Sequence, residues 1–202
     1  MLYKSKELRW FKKSLDKPVL NWFKKRNITF ENTGTRTDYY LMLSGREDLN
    51  IKMREGNIEL KQRVSQPEKM ELIEGVTGSF ENWEKWSFEL SSVNSVTGFI
   101  NQAGDNRWIA LNKCRLGVKF VQDGKSKTRI LDINEPVSSG CQLEYTRIKV
   151  NEDLWYTFNL EWFGDDWIDP GAEVFYELLG STKLTEFNSM SYAGFINRYL
   201  TP

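Results

Sequence analysis

Residues 49–63, LNIKMREGNIELKQR, read as two short strands joined at Glu55-Gly56-Asn57. In an extended chain every second side chain shares a face. The first strand therefore puts Asn50, Lys52 and Arg54 on one side and Ile51 and Met53 on the other. The second groups Glu59, Lys61 and Arg63 opposite Ile58, Leu60 and Gln62. One face of the hairpin is charged and the other is largely apolar.

The same texture continues outward from this hairpin. The runs RTDYYLML, EKWSFEL, RWIALNKCRLGVKF, KTRILDI, CQLEYTRIKV and LWYTFNLEWF are short, alternating and separated by turn-rich pieces such as Ser44-Gly45. With the hairpin they predict eight strands, following a first strand over residues 5–11. Closely spaced strands with tight turns pair antiparallel, and this many in one domain either close into a barrel or split into a sandwich. Asp16-Lys17-Pro18 offers an N-cap and a first-turn proline for a helix reaching about Arg26. Two more helices are expected in the tail, from Asp169-Pro170 to Gly180 and over roughly Ser191 to Leu200. The expected class is α+β, a single domain over residues 1–202.

The charged faces recur along the chain. NKCRLGVKF aligns Lys113, Arg115 and Lys119, and YTFNLEW aligns Thr157, Asn159 and Glu161. Such faces suit the wet side of an antiparallel sheet. With aromatic-rich helices available to cover the apolar side, they suit a barrel lumen as well. A lumen lined by Lys and Arg is unstable unless acids or a bound anion compensate it, because desolvated like charges repel. Several phosphates are the natural guest: Arg grips phosphate oxygens in a bidentate fork and Lys adds a point charge.

Composition narrows the chemistry. The 202 residues hold 28 Lys and Arg against 28 Asp and Glu, with no histidine, which removes Ser-His and Cys-His nucleophile systems. Cys114 and Cys141 lie in separate strand-like runs without metal-type spacing, as expected of buried free thiols in a reducing cytoplasm. Residues 1–30 carry nine Lys and Arg against two acids, and residues 151–202 carry two against nine. The basic end is interleaved with Trp10, Phe11, Leu15, Val19, Leu20, Trp22 and Phe23, so it is expected to fold against the acidic end rather than serve as a nucleic-acid arm. No apolar run is long enough to span a membrane, and the expected localisation is cytoplasmic.

The run RTDYYLMLSGREDLNIKMREGNIELKQR resembles the early strands of CYTH (triphosphate tunnel) proteins, where a Lys-x-Arg strand precedes a lysine-containing one. CRLGVKF, then LEYTRIKVNEDLWYTFNLEWFG, is similar to their second basic strand, acidic strand and closing strand, and SYAGFINRYL is similar to their last helix. The resemblance implies a closed antiparallel eight-stranded barrel, a tunnel with flanking helices, that binds a small triphosphate-like anion with Mg²⁺ or Mn²⁺ and hydrolyses or cyclises it. By position it implies phosphate contacts from Lys52, Arg54, Lys61, Arg115 and Lys119, with Arg63 and Lys113 on the same faces. It further implies Glu7, Glu59 and Glu161 as metal-side acids, with Glu161 and Lys61 in catalytic positions. Three positions depart from the pattern, one of them Phe11, which stands where the first strand's Glu-x-Glu-x-Lys signature carries lysine. Arg9 stands where Glu7-x-Glu is expected, and Asn159 stands where the closing strand carries a second glutamate.

Overall fold

The computed structural model describes residues 2–89, 107–123 and 127–201. Its strands are β1 (Leu2–Lys12), β2 (Thr35–Leu41), β3 (Leu49–Arg54), β4 (Asn57–Arg63), β5 (Glu68–Ile73), β6 (Val76–Glu89), β7 (Trp108–Asp123), β8 (Lys127–Asp132), β9 (Gly140–Val150) and β10 (Asp153–Phe163). Its α-helices are α1 (Lys17–Lys24), α2 (Ala172–Leu179) and α3 (Tyr192–Tyr199).

Pairing runs β1-β10-β9-β7-β2-β3-β4-β6 and returns from β6 to β1, every pair antiparallel. The eight strands close a barrel, which settles the choice between barrel and sandwich. β8 hangs on β7, and β5 hangs on β6. The β3–β4 connection is the turn expected from sequence, with Glu55 and Gly56 both at positive φ (48° and 79°), as a tight hairpin turn requires. The strand count is one higher than expected. β5 was not predicted because it is an edge strand that buries only Ile73, so its alternation carries little hydrophobic signal.

The register of β9 with β10 is unbroken from Val150↔Asp153 to Gly140↔Phe163. It sends Tyr156, Phe158, Leu160 and Trp162 outward and Thr157, Asn159 and Glu161 into the lumen. The outward set joins the main core with Leu8, Trp10, Leu116, Phe120 and Leu143. That core is covered by α1 through Val19, Trp22 and Phe23, and by α2 through Phe175, Leu178 and Leu179. Both triplets follow the i, i+3, i+4 spacing of one helical face. α2 starts at Ala172 rather than at Asp169, whose carboxylate instead accepts the Gly171 N–H at 2.9 Å.

The helices flank the barrel as expected, α3 at one end of it. Its N-cap is Ser191, whose Oγ accepts the Gly194 N–H at 3.2 Å. From there it packs on residues that point inward: Phe11, Tyr40, Leu111, Ile148 and Trp155 form one cluster with Phe195 and Ile196. Phe195 stacks on Phe11 at 4.3 Å and meets Trp155 edge-on at 5.0 Å. The helix closes one end of the lumen with an apolar floor.

The charged ends of the chain meet, as expected. β1 lies against β10, and Lys13 pairs with Asp153 at 2.6 Å. Lys25 and Arg26 of the α1 end reach Glu177 of α2. Both cysteines are buried free thiols. No helix among the described residues is long and apolar enough to cross a membrane.

Candidate functional site: a charged blind lumen

The inward rows of the barrel enclose a cavity of about 210 Å³. Eight Lys and Arg side chains and five carboxylates line it, an excess of three positive charges. Lumen-facing alternation on eight strands brings them together from positions far apart in sequence.

Most of the cations are held in local pairs. On the β3–β4 wall Glu59 receives Lys52 at 3.0 Å and Arg54 at 2.6 Å. Lys61 reaches Glu7 and lies 3.5 Å from Glu161. On the β2–β7 wall the Lys113 ammonium donates to Asp38 at 3.0 Å and to the Tyr40 hydroxyl at 2.5 Å, and Arg36 lies 3.3 Å from Asp38. Across β7 and β9, Arg115 donates to Glu144 at 2.6 Å, and so does the Gln142 amide at 2.7 Å.

Burial and charge oppose each other throughout. Burial alone would raise the Asp38 carboxyl, but Lys113, Lys52 and Arg36 hold it well below the usual carboxylate range. Glu59 and Glu144 are lowered in the same way, by Lys52 and Arg54 and by Arg115 and Arg9, against burial. Burial pushes the Lys113 ammonium well below the ordinary lysine range despite Asp38. For Lys61 the outcome is reversed: Glu161 and Glu7 outweigh burial and raise it.

Besides Arg36 Nε, Asp38 Oδ1 and Trp83 Nε1, which have no hydrogen-bond partner, two places in the lumen are incompletely paired. Lys85, on the inward face of β6, has no carboxylate of the described residues within ion-pair distance. The other place is on the β1–β10 wall. Arg9 Nη1 donates to Thr157 at 3.1 Å, Nη2 lies 3.7 Å from Glu7, and the guanidinium lies over the Tyr192 ring of α3 at 4.7 Å. Arg9 Nε has no hydrogen-bond partner. Its cross-strand neighbour Asn159 is fully buried, and neither its Nδ2 nor its Oδ1 has a partner.

Of the residues singled out in the sequence, Lys52, Arg54, Lys61, Lys113, Arg115, Glu7, Glu59 and Glu161 all line the cavity. Arg63 and Lys119 do not. Arg63 is taken by Glu81 at 2.7 Å, and Lys119 donates to the Glu135 carbonyl at 2.7 Å beside the Phe163 ring. Alternation fixes the face of a residue but not its height along the barrel axis, so these two fall beyond the cavity. Arg36, Asp38, Tyr40, Lys85, Glu144 and Tyr192 line it and were not singled out. Glu144 was readable: Gln142, Glu144 and Thr146 share a face of CQLEYTRIKV. Tyr192 was not, since nothing in a short amphipathic tail helix says that it closes a barrel.

The donor set does not fit a hard divalent ion. Such an ion needs several oxygen ligands together. Glu7 and Glu161 are cross-strand neighbours, but Lys61 binds between them, Arg9 and Asn159 flank them, and Glu59 is engaged with Lys52 and Arg54. Among the described residues no three carboxylate or thiol groups are placed to hold a metal.

No protein-family model matches this chain, and a search of curated proteins found no match.

Proposed function

We propose that the lumen binds a polyphosphate-like anion, inorganic or nucleoside triphosphate, and that the chain is a divergent CYTH-like tunnel protein. The observation that carries this reading is the three-charge excess of cations inside a buried, blind cavity. Desolvated positive charge of this density is costly when uncompensated, and an oligophosphate supplies several negative oxygens in one narrow chain. The ligand would exchange with the carboxylates already present, taking Lys61, Arg115, Lys52 and Arg54 from their glutamate partners and adding Lys85.

The same geometry favours binding over turnover. A metal-dependent phosphohydrolase needs a metal or a positioned base to activate water. Here Glu161 and Glu7 are tied to Lys61, and the neighbouring positions are Arg9 and Asn159. The reading is therefore of a module that retains or senses its anion.

Calorimetric titration with tripolyphosphate, ATP and sulfate in the presence of a chelator tests it. Tripolyphosphate is expected to bind the wild type, and Lys61→Ala or Arg115→Ala to lose roughly 1.5–3 kcal/mol, the typical worth of a charge-assisted hydrogen bond. Absence of binding by all three anions would overturn the reading.

A further inference from the structure

On the outside of the barrel, a groove of about 330 Å³ lies between the outer faces of β1 and β6 and the turn that follows β10. That volume is near the bottom of the range of small-molecule pockets, roughly 300–1,000 Å³, and suits one ring with its substituents. Gly164 opens the turn at a φ of 82°, and a Cβ there would lie 2.3 Å from the Ser139 Oγ and 2.4 Å from the Ser138 carbonyl oxygen. Only glycine lets the chain turn this close to the β8–β9 connection. The turn delivers Trp167 face-on to Trp162, with ring centres 4.7 Å apart and planes 6° apart. Phe80 meets both rings edge-on, at 5.7 and 5.8 Å. One face of Trp167 is thus held by the barrel, yet the residue stays 47% exposed and lines the groove. An indole backed this firmly and left half open is a stacking platform.

The polar groups around the ring decide what can use it. Lys4 and Glu84 pair with each other at 3.6 Å. Lys6 makes no ion pair among the described residues, and its ammonium lies 5.4 Å from the Trp167 ring centre. The Asp165 and Asp166 carboxylates are exposed and have no partner among the described residues. Asn82 donates one amide hydrogen to Ser65 at 2.9 Å, which leaves its other hydrogen and its carbonyl oxygen to a ligand. An anion in the groove would meet two unpaired carboxylates, and a cation would meet Lys6 over the ring. A neutral molecule that carries both donors and acceptors around an apolar face meets neither obstacle.

We infer that this groove is a second binding site, on the outer surface and independent of the anion-binding reading of the lumen, and that its ligand is a neutral sugar ring. The C–H face of a pyranose stacks on Trp167. Its hydroxyls donate to Asp165, Asp166 and the Asn82 carbonyl, and they accept from the Lys6 ammonium and the Asn82 amide.

Saturation-transfer NMR on the full chain tests the site with glucose, galactose, mannose, N-acetylglucosamine, maltose, cellobiose and lactose. Sorbitol serves as an open-chain polyol, and choline and benzoate serve as the cationic and anionic probes. At least one cyclic sugar is expected to bind, with transfer strongest at its ring C–H protons, while sorbitol, choline and benzoate do not. Trp167→Ala should weaken that sugar about tenfold, the loss of one stacking platform. The double substitution Asp165→Ala with Asp166→Ala lies in an exposed turn and should weaken the same sugar. It decides the matter should the melting temperature show that Trp167→Ala fails to fold. Three results would each overturn the inference: no binding by any of the seven sugars, equal sugar binding by the wild type and the folded variants, or binding of sorbitol, choline or benzoate in place of the sugars.

Discussion

Lys85 of β6 and Lys61 of β4 are directly paired across the two strands on the lumen side; Lys61 makes ion pairs with Glu7 and Glu161, whereas Lys85 acts on Glu161 and Glu59 only from beyond ion-pair distance. Like charges directly opposite one another in an antiparallel pair are destabilising. The protein tolerates this where it faces a cavity, which is the arrangement expected when the compensating charge arrives with a ligand.

Lys85→Met should therefore separate stability from binding. Removing the repulsion is expected to raise the urea-unfolding free energy of the free protein by up to about 1 kcal/mol. Tripolyphosphate affinity should fall about tenfold, since one charge-assisted contact is lost. Urea titrations with and without tripolyphosphate check both at once. A free protein destabilised by the substitution would mean that Lys85 is already compensated within the fold.

A second like-charge pair predicts a pH dependence. Glu81 of β6 is directly opposite Glu7 of β1, and both are buried. Burial pushes the Glu81 carboxyl up, Arg63 of β4 pulls it back from 2.7 Å, Glu7 repels it, Trp83 of its own strand favours its charged form, and it titrates at about 7. An ordinary glutamate titrates near 4.5. Between those values the folded state holds more protons than the unfolded state, so stability falls as pH rises through the window and levels off above it. Glu59, Glu144 and Asp38 are shifted the other way, and their contribution disappears as pH falls below the usual carboxylate range. Thermal melts from pH 4.5 to 8.5 should show the wild type losing stability relative to Glu81→Gln above about pH 5, since the lowered Lys113 and Lys52 ammonium groups, which favour the folded state as pH rises, act in both proteins. Glu81→Gln should melt higher than wild type at pH 8. A wild type that gains stability relative to Glu81→Gln between pH 5 and 8 would contradict the assignment.

How much of this was legible in the sequence depends on which physical rule a residue obeys. The β3–β4 hairpin was legible in strand, register and face: period-two alternation and the Glu55-Gly56 turn fix all three, and Lys52, Arg54, Glu59 and Lys61 line the cavity. Faces were legible elsewhere too, but height was not. Strand tilt in a closed barrel carries Arg63 and Lys119 away from the cavity, although they share a face with residues that line it. The place of α3 was not legible at all. Its amphipathic face announces burial without saying against what, and the surface that receives it is assembled from Phe11, Leu111, Ile148 and Trp155, on strands far apart in the chain. The departures at Arg9 and Asn159 were visible as letters. Their meaning needed the register that sets them side by side.

The plug itself can be tested by truncation. Phe195 is fully buried and makes two aromatic contacts across the floor. Phe195→Ala is expected to cost about 3–5 kcal/mol, the range for emptying a large aromatic from a packed site. Phe195→Leu should cost less, because it refills part of the volume. Chemical denaturation of the two variants gives the comparison. A loss well under 1 kcal/mol for the alanine variant would place α3 off the barrel end in solution.

The last prediction concerns metal. Glu7 and Glu161 are cross-strand neighbours on the lumen face, and the next inward pair along the same two strands is Arg9 and Asn159. In the wild type those four positions supply two carboxylates, one guanidinium and one amide, with Lys61 bound between the carboxylates. A cation at Arg9 opposes a divalent ion by direct repulsion, so Mg²⁺ and Mn²⁺ should leave the melting temperature of the wild type unchanged. The double substitution Arg9→Glu with Asn159→Glu would put four carboxylates on adjacent positions of two paired strands. Their mutual repulsion should lower the stability of the metal-free protein, and a bound divalent ion should restore it. The signature is thus a melting temperature below wild type in chelator that climbs with Mn²⁺ or Mg²⁺ concentration, in the variant alone. Phosphate release from tripolyphosphate, followed over the same titrations, should be slow or absent in the wild type under every condition. Metal-dependent turnover by the wild type at the rates of ordinary enzymes, roughly 1–10³ s⁻¹, would show that Glu7 and Glu161 exchange Lys61 for a metal and that the lumen is a catalytic site.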